Sequence, residues 1–88
     1  MEFTARVFVT PKAAILDPEG KAIASSLHSL GYDDVVDARA GKLIVLHVRA
    51  ADQGAARARV EEMCRRLLAN EIIEDYRFDV GVEETGAP

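Results

Sequence analysis

The fold is decided by residues 3–20, which read FTARVFVTPKAAILDPEG. The first half of this stretch has the two-residue period of a β-strand with one buried face. The apolar members of that period are Phe3, Ala5, Val7 and Val9. Pro11 ends the strand. Asp17 and Pro18 then begin a helix, because aspartate caps free backbone N–H groups and proline fits the first helical position. The stretch therefore predicts a strand, a loop and a helix, in that order.

The first helix is expected to end at Gly31. Glycine readily adopts the left-handed conformation that closes many helices, and an apolar contact between Tyr32 and Leu27 is expected to accompany it.

Two further strand-like segments, residues 35–40 and 43–49, flank Gly41 and Lys42. Because a tight turn needs backbone angles that residues other than glycine avoid, this arrangement predicts a β-hairpin that turns at Gly41.

A second, longer helix follows, with Asp52 as its expected N-cap. Its apolar stripe recurs at helical spacing and consists of Ala56, Val60, Met63, Cys64 and Leu67. Asn70 is expected to close this helix, since asparagine tolerates the left-handed conformation. Residues 76–82 alternate again and predict a last strand, and residues 83–88 are expected to be a frayed tail.

The predicted order of elements is strand, helix, strand, strand, helix, strand. This is the order of an α+β, two-layer ferredoxin-like fold, in which two helices cover one face of an antiparallel sheet. A chain of 88 residues forms one domain, so residues 1–88 are assigned to a single domain. The side chains expected between the sheet and the helices are Phe3, Ala5, Val7, Val9, Val36, Ala38, Ile44, Leu46, Val48, Tyr76, Phe78, Val80 and Val82.

The opposite face of the predicted sheet carries large apolar side chains among charged ones. Because the first and third strands are central in a ferredoxin-like sheet, we expect an apolar centre with a charged rim, which is the anatomy of a protein interface. Leaving three large apolar side chains in water forgoes about 5 to 9 kcal/mol. We therefore predict a homo-oligomer, most simply a two-fold dimer. Its interface residues are Phe8, Leu43, Val45 and His47.

Composition excludes several classes of partner. The net charge of −4 disfavours nucleic acid and anionic membrane surfaces, because both are bound by clustered Lys and Arg. No apolar run approaches the roughly 18 to 20 residues that a membrane-spanning helix needs. The chain starts without the pattern of a secretory leader, and its one cysteine, Cys64, cannot form an internal disulfide. We expect a cytoplasmic protein.

The sequence contains no recognisable catalytic constellation. His28, His47 and Cys64 fall on three different predicted elements without metal-ligand spacing. The glycines are dispersed, so no glycine-rich phosphate loop precedes a helix. We therefore expect no catalytic residue, metal or cofactor in this chain.

The junctions between the elements are more specific than the elements themselves. The distinctive stretches are VFVTPK at 7–12, LDPEG at 16–20, LGY at 30–32, GK at 41–42, CRRLLAN at 64–70 and IEDY at 73–76. In this combination, and over nearly its whole length, the chain resembles the PurS subunit family of bacterial phosphoribosylformylglycinamidine (FGAM) synthase. It departs at Glu71, where that family usually has proline.

The resemblance implies a non-catalytic accessory subunit of a ligase complex in de novo purine biosynthesis. Such subunits are homo-oligomers that join a glutaminase subunit, PurQ, to a synthetase subunit, PurL. The synthetase uses ATP and Mg to convert formylglycinamide ribonucleotide into formylglycinamidine ribonucleotide, and the small subunit needs no cofactor of its own. On this chain, the loops at the helix ends would meet the partners. The partner-binding residues implied are Lys12, Asp17, Asn70, Glu74 and Tyr76.

Two other functions share this topology. A regulatory module that binds a small molecule would use a glycine-rich turn between the first strand and the first helix. An acylphosphatase-like hydrolase would need a loop of glycines leading to an arginine there. Residues 12–16 contain neither glycine nor arginine. The adaptor is therefore favoured, and the regulatory module is kept as the alternative.

Overall fold

A computed structural model describes residues 1–82 of the chain. Its elements are β1 (Glu2–Pro11), α1 (Pro18–Ser29), β2 (Lys42–Arg49), α2 (Gln53–Met63), a π-helical turn (Cys64–Leu68) and β3 (Glu74–Val82). The strands form one antiparallel sheet in the order β2-β1-β3. The α+β class and the central position of the first strand are as predicted, and the ferredoxin-like class is confirmed. The expected tail at 83–88 lies outside the described residues.

The core lies between β1 and α2. In the register of the sheet, Val7 stands opposite Ile44 on β2 and Phe78 on β3. The predicted inner row of β1 is buried. It is covered by Ala56 and Val60 of α2 and by Cys64 of the π-helical turn, each 0% exposed. The second helix therefore packs as its apolar stripe predicts.

Both ends of α1 follow their sequence signals. The Asp17 carboxylate accepts a hydrogen bond from the backbone N–H of Gly20 at 3.0 Å. At the other end, Gly31 has a φ of 98°, and the N–H of Tyr32 donates to the carbonyl oxygen of Leu27 at 3.0 Å. This is the left-handed helix ending that the sequence predicts.

The end of α2 differs from the prediction. The N–H of Ala69 donates to the carbonyl oxygen of Cys64 at 3.0 Å, five residues back, which is the spacing of a π-helical turn. The extra residue shifts the phase of the helix, so Ala69 is buried while Leu67 is 82% exposed. Within residues 1–82 no residue other than Gly31 has a positive φ, so Asn70 does not close the helix in the left-handed way.

The predicted hairpin at Gly41 is also not formed. Residues 35–40 form neither helix nor strand and are not part of the described sheet, and Gly41 lacks the positive φ that the predicted turn requires. Val36, expected in the core, is 95% exposed, and Val82 is 60% exposed. Without a turn, the chain passes through Gly41 directly into β2.

The first helix lies away from the sheet instead of across it. None of the buried or partly buried members of the described core comes from α1, whose Ile23 is 41% exposed and Leu30 73% exposed. We call residues 17–40 the arm, which comprises α1 and a return segment ending in residues 35–40, and we call the remainder of the described chain the body. The radius of gyration is 16.3 Å, against about 12 Å for a compact domain of this length. The arm is therefore an extension of the body.

Candidate functional site

Most of the predicted contact residues meet at one end of the sheet, where β1 ends and β2 and β3 begin. We call the residues beside this end the rim cluster, and they line an open depression of about 410 Å³. They are Lys12, Glu71, Glu74, Asp75 and Tyr76. Three of the five predicted partner-binding residues, Lys12, Glu74 and Tyr76, thus line one concave surface.

The backbone of the rim cluster is fixed by hydrogen bonds. The N–H of Lys12 donates to the carbonyl oxygen of Ile73 at 2.9 Å. The N–H of Asn70 donates to Oε1 of Glu74 at 2.7 Å, which places the fourth predicted residue next to the cluster. The Lys12 ammonium lies 3.9 Å from a carboxylate oxygen of Asp75. Since both side chains of this pair are well exposed, they remain accessible to a partner.

Tyr76 links the rim cluster to α2. Its hydroxyl donates a hydrogen bond to Oε1 of Glu61 at 3.1 Å. Partial burial, and then this hydrogen bond to a carboxylate, raise the pKa of the Tyr76 phenol. The hydroxyl therefore stays protonated and holds the ring between the core and the rim. Glu61 was not among the predicted residues, because only the fold brings it beside Tyr76.

The fifth predicted residue, Asp17, stands apart at the base of the arm. Its Oδ1 accepts from the N–H of Gly20 and its Oδ2 from the N–H of Ala40, at 3.0 and 2.9 Å. These two hydrogen bonds lower the pKa of the Asp17 carboxyl. The carboxylate thus joins the start of α1 to the end of the return segment.

The open face of the sheet, opposite α2, carries the predicted oligomer residues. Phe8 pairs with Leu43 in the β1–β2 register, and Leu43 is 53% and Val45 37% exposed. His47 lies on the same face, further along β2. The Arg77 guanidinium stacks over the Phe8 ring at 4.1 Å. A second cavity of about 410 Å³, bordered by Phe8, Leu43 and Arg77, continues to Asp75 and Tyr76 of the rim cluster.

The centre of the open face differs from the prediction. Arg6 on β1 forms a two-point ion pair with Asp79, at 3.0 and 2.8 Å, so a charged pair occupies the middle of the described sheet. The apolar residues of β2 lie at an edge, because no strand pairs with the outer side of β2 within residues 1–82. Arg77 and Asp79 alternate with apolar residues in β3, and this period is the sequence signal that places them on the open face.

The described residues contain no group of three or more side chains with metal-ligand chemistry. Cys64 is buried, and its burial raises the pKa of the thiol, which leaves it protonated at neutral pH. Neither α1 nor α2 is long and apolar enough to cross a membrane, and the same is true of every other helix in residues 1–82.

Known proteins similar to this chain belong to one family. The PurS family of phosphoribosylformylglycinamidine (FGAM) synthase matches residues 4–82. The chain is 42% identical over 78 residues to the FGAM synthase subunit PurS of Bacillus subtilis, covering 89% of this chain and 92% of that protein. It is 44% identical over 75 residues to PurS of Synechocystis, covering 85% of this chain and 75% of the relative.

Solved structures show the same fold. Thermus thermophilus PurS superposes with a TM-score of 0.85 at 28% identity, over 96% of this chain and all of that one. A chain of the PurLQS structure from Thermotoga maritima superposes with a TM-score of 0.82 at 28% identity, over 92% of this chain and 99% of that one. The family match spans nearly all of the described residues, and the curated relatives are aligned over most of their own length. The chain belongs to the PurS family and is a subunit of the FGAM synthase of purine biosynthesis.

Proposed function

We propose that the chain is the adaptor subunit of FGAM synthase and supplies contact surface without catalytic residues. In this role it joins the glutaminase subunit, PurQ, to the synthetase subunit, PurL, so that ammonia passes between their active sites. ATP and Mg act in the synthetase. The observation that carries this proposal is the match, over nearly the whole chain, to a chain of the Thermotoga maritima PurLQS structure.

The rim cluster is the proposed contact with the larger subunits. Lys12, Glu74 and Tyr76 line one cavity, and Asn70 is tied to it through Glu74. One basic side chain, Lys12, lies there among three acidic ones, Glu71, Glu74 and Asp75, which suits a polar and reversible docking surface. Asp17 contributes to this contact only indirectly, because both of its carboxylate oxygens already accept backbone hydrogen bonds at the base of the arm.

The open face is the proposed surface for association between copies, through Phe8, Leu43, Val45 and His47. Leu43 and Val45 expose apolar surface beside the stacked Phe8 and Arg77. Tyr and Phe rings with neighbouring Arg are enriched at interface centres. The cavity that runs from Phe8 to Tyr76 connects this face with the rim cluster. The proposed surface for association between copies therefore adjoins the proposed surface for partner docking.

Reconstitution tests the adaptor role. Purified synthetase and glutaminase are assayed for glutamine-dependent FGAM formation with and without this chain, and with ammonium as the nitrogen source. We expect omission of the chain to abolish glutamine-dependent turnover and to leave ammonium-dependent turnover in place. Equal glutamine-dependent rates with and without the chain would contradict the proposal.

Two matched substitutions locate the contact. Lys12→Ala and Tyr76→Phe should weaken assembly with the larger subunits. Both should leave the isolated fold intact, because the Lys12 side chain is well exposed and Tyr76→Phe removes only a hydroxyl. Lys21→Ala, at an exposed position of the arm, is the control. Full glutamine-dependent activity of both rim variants would place the contact elsewhere.

A further inference from the structure

Arg77 occupies the middle of a row of charges on the open face of β3. Asp75 and Asp79 lie two residues to either side of it, and side chains two residues apart in a strand point to the same face. Asp79 forms the two-point ion pair with Arg6. A carboxylate oxygen of Asp75 lies 3.9 Å from the Lys12 ammonium. Arg77 therefore has an aspartate on each side and forms an ion pair with neither of them.

The Arg77 guanidinium is held in place by an aromatic ring and not by an acceptor. It stacks over the Phe8 ring at 4.1 Å, and within residues 1–82 its N–H groups form no hydrogen bond or ion pair. Stacking fixes the plane of the guanidinium, so the direction of its N–H groups is set before a ligand arrives. A planar pair of N–H donors matches the two oxygens of a carboxylate. The guanidinium is therefore oriented to receive a carboxylate.

The cavity beside Arg77, which we call the groove, combines positive charge with an apolar border. Its volume is about 410 Å³. Lys42 also borders the groove and, in the part of the chain that the structure describes, has no acidic partner. Leu43, which is 53% exposed, and the Phe8 ring supply the apolar part. The groove therefore suits a carboxylate that is carried next to an apolar side chain.

The groove and the rim cluster carry opposite net charges, although they adjoin each other at Asp75. Three carboxylates and one lysine line the rim cluster. Two cations, Lys42 and Arg77, line the groove, and its one carboxylate, Asp75, already lies beside Lys12. A partner that complements both surfaces presents a basic group to the rim cluster and an acidic group to the groove.

A second copy of this chain is a poor source of that acidic group. In a two-fold contact centred on the groove, each residue near the axis meets its own counterpart, so Arg77 would face Arg77 and Lys42 would face Lys42. Like charges placed against each other disfavour such a contact. Copies can still associate along the open face about an axis nearer Val45 and His47, which do not border the groove. The charges therefore favour a different chain as the occupant of the groove.

We propose that the groove binds an acidic anchor of a larger FGAM synthase subunit. The anchor is an aspartate or glutamate whose carboxylate binds the N–H groups of Arg77, next to an apolar side chain that packs on Phe8 and Leu43. This inference rests on the adaptor role proposed above and specifies the chemistry of the partner segment. The larger subunits are the source of the anchor, because the chain is similar to a chain of the PurLQS structure.

Binding measurements on Arg77 variants test the anchor. Arg77→Lys keeps the charge and Arg77→Gln removes it, and both should leave the fold intact, because Arg77 is exposed. The affinity of the chain for the purified synthetase and glutaminase subunits, measured by titration calorimetry, should fall about tenfold or more for Arg77→Gln and by less for Arg77→Lys. The affinity of the wild type should also fall more steeply with added salt than that of Arg77→Gln.

Arg59→Gln is the matched control for the loss of charge. Arg59 lies exposed on α2 and forms no ion pair with any other residue in the range 1–82. This variant should bind the larger subunits as tightly as the wild type does. Equal losses of affinity for Arg59→Gln and Arg77→Gln would show that only the net charge of the chain matters, and would overturn the anchor.

Photocrosslinking in the reconstituted complex identifies the occupant. Replacing Leu43 by the photoreactive amino acid p-benzoylphenylalanine places the reactive group at the border of the groove. We expect a cross-link to a peptide of a larger subunit that contains aspartate or glutamate, and we expect Arg77→Glu in the same chain to abolish it. A cross-link only to a second copy of this chain, a cross-link only to a peptide without an acidic residue, or no cross-link would each overturn the proposal.

The anchor and the adaptor role fail in different ways. If omission of the chain abolishes glutamine-dependent synthesis while Arg77→Gln binds as tightly as the wild type, the adaptor role stands and the anchor is wrong. If omission of the chain leaves glutamine-dependent synthesis unchanged, the adaptor role is wrong, and the anchor that rests on it is wrong as well.

Discussion

The backbone N–H of Ala40 donates a 2.9 Å hydrogen bond to Oδ2 of Asp17, 23 residues earlier in the chain. The other oxygen of the same carboxylate caps α1 through Gly20. The Asp17 side chain therefore caps the helix of the arm and also binds the last residue of its return segment. The arm leaves the body and returns to it at the same point, which allows it to extend as a unit.

Replacing Asp17 by asparagine should make stability less dependent on pH. The folded-state pKa of Asp17 is lowered below its ordinary value of 3.8, so its contribution is full above that value and is lost as the pH falls through the folded pKa. An asparagine offers only one acceptor oxygen and does not titrate. Urea midpoints of the wild type and of Asp17→Asn should differ at pH 7 and converge as the pH falls below 3.8. A constant difference across this range would show that the charge of Asp17 is not what stabilises the arm.

Replacing Gly20 by alanine should loosen the base of the arm. The new Cβ would collide with the carbonyl oxygen of Ala38 and stand 2.9 Å from the Cα of Arg39, and both are backbone atoms that cannot move aside alone. Hydrogen exchange at the amide of Ala40 should become faster.

Gly54→Ala is the matched control for this variant. Gly54 also follows a capping aspartate, but its nearest neighbour would be 3.4 Å away. There the higher helix propensity of alanine should stabilise the protein by up to about 1 kcal/mol. Equal effects of the two substitutions would contradict the close approach at Gly20.

Gly31→Ala should destabilise the end of α1. At a φ of 98°, an alanine is strained by roughly 1 to 2 kcal/mol although the space around it is open. Gly81→Ala, also with open space but without a positive φ, is the control and should change stability little. Thermal unfolding followed by circular dichroism distinguishes the two, and an unchanged midpoint for Gly31→Ala would rule out the strain.

The two phenylalanines of β1 should have opposite roles. Phe3 is 1% exposed, so Phe3→Ala should cost about 3 to 5 kcal/mol of stability. Phe8 lies on the open face beneath Arg77, and Phe8→Ala should cost only about 1 to 2 kcal/mol, because part of the ring is already in water. Its main effect should be weaker association, measured by sedimentation at micromolar concentrations. An unchanged sedimentation profile would exclude Phe8 from the interface.

Local signals account for the parts of the fold that the sequence predicted correctly. Asp17 and Asp52 cap the two helices, and Gly31 ends the first one, because each needs only its near neighbours in the chain. The buried row of β1 and the stripe of Ala56, Val60 and Cys64 follow from the periods of strand and helix. The central position of β1 is also as predicted.

The sequence-based predictions were wrong where the structure depends on contacts beyond the local sequence pattern. Leu67 is exposed because a π-helical turn shifts the phase of the helix, and no local pattern in the sequence marked that turn. Among the candidate site residues, Lys12, Glu74 and Tyr76 converge as a surface only because antiparallel strands bring the end of β1 beside the start of β3. Glu61 and Arg77 join them through contacts across the sheet and from α2, which the spacing of residues along the chain does not reveal.

The sequence by itself determined the two helices, three of the four predicted strands, where the helices begin, and the family to which the chain belongs. Helix caps, helix-ending glycines and apolar periods depend on residues that are close together in the chain, so they can be recognised in the sequence. The tertiary structure alone decided that residues 35–40 stay out of the sheet and that α1 leaves the body. That choice is set at Gly41, where close approach to β1 and the ties from Ala40 and Arg39 fix the direction of the backbone. Which strand a given strand pairs with depends on residues that are far apart in the sequence. The same alternation of apolar residues is compatible with a partner strand in the same chain or in another chain.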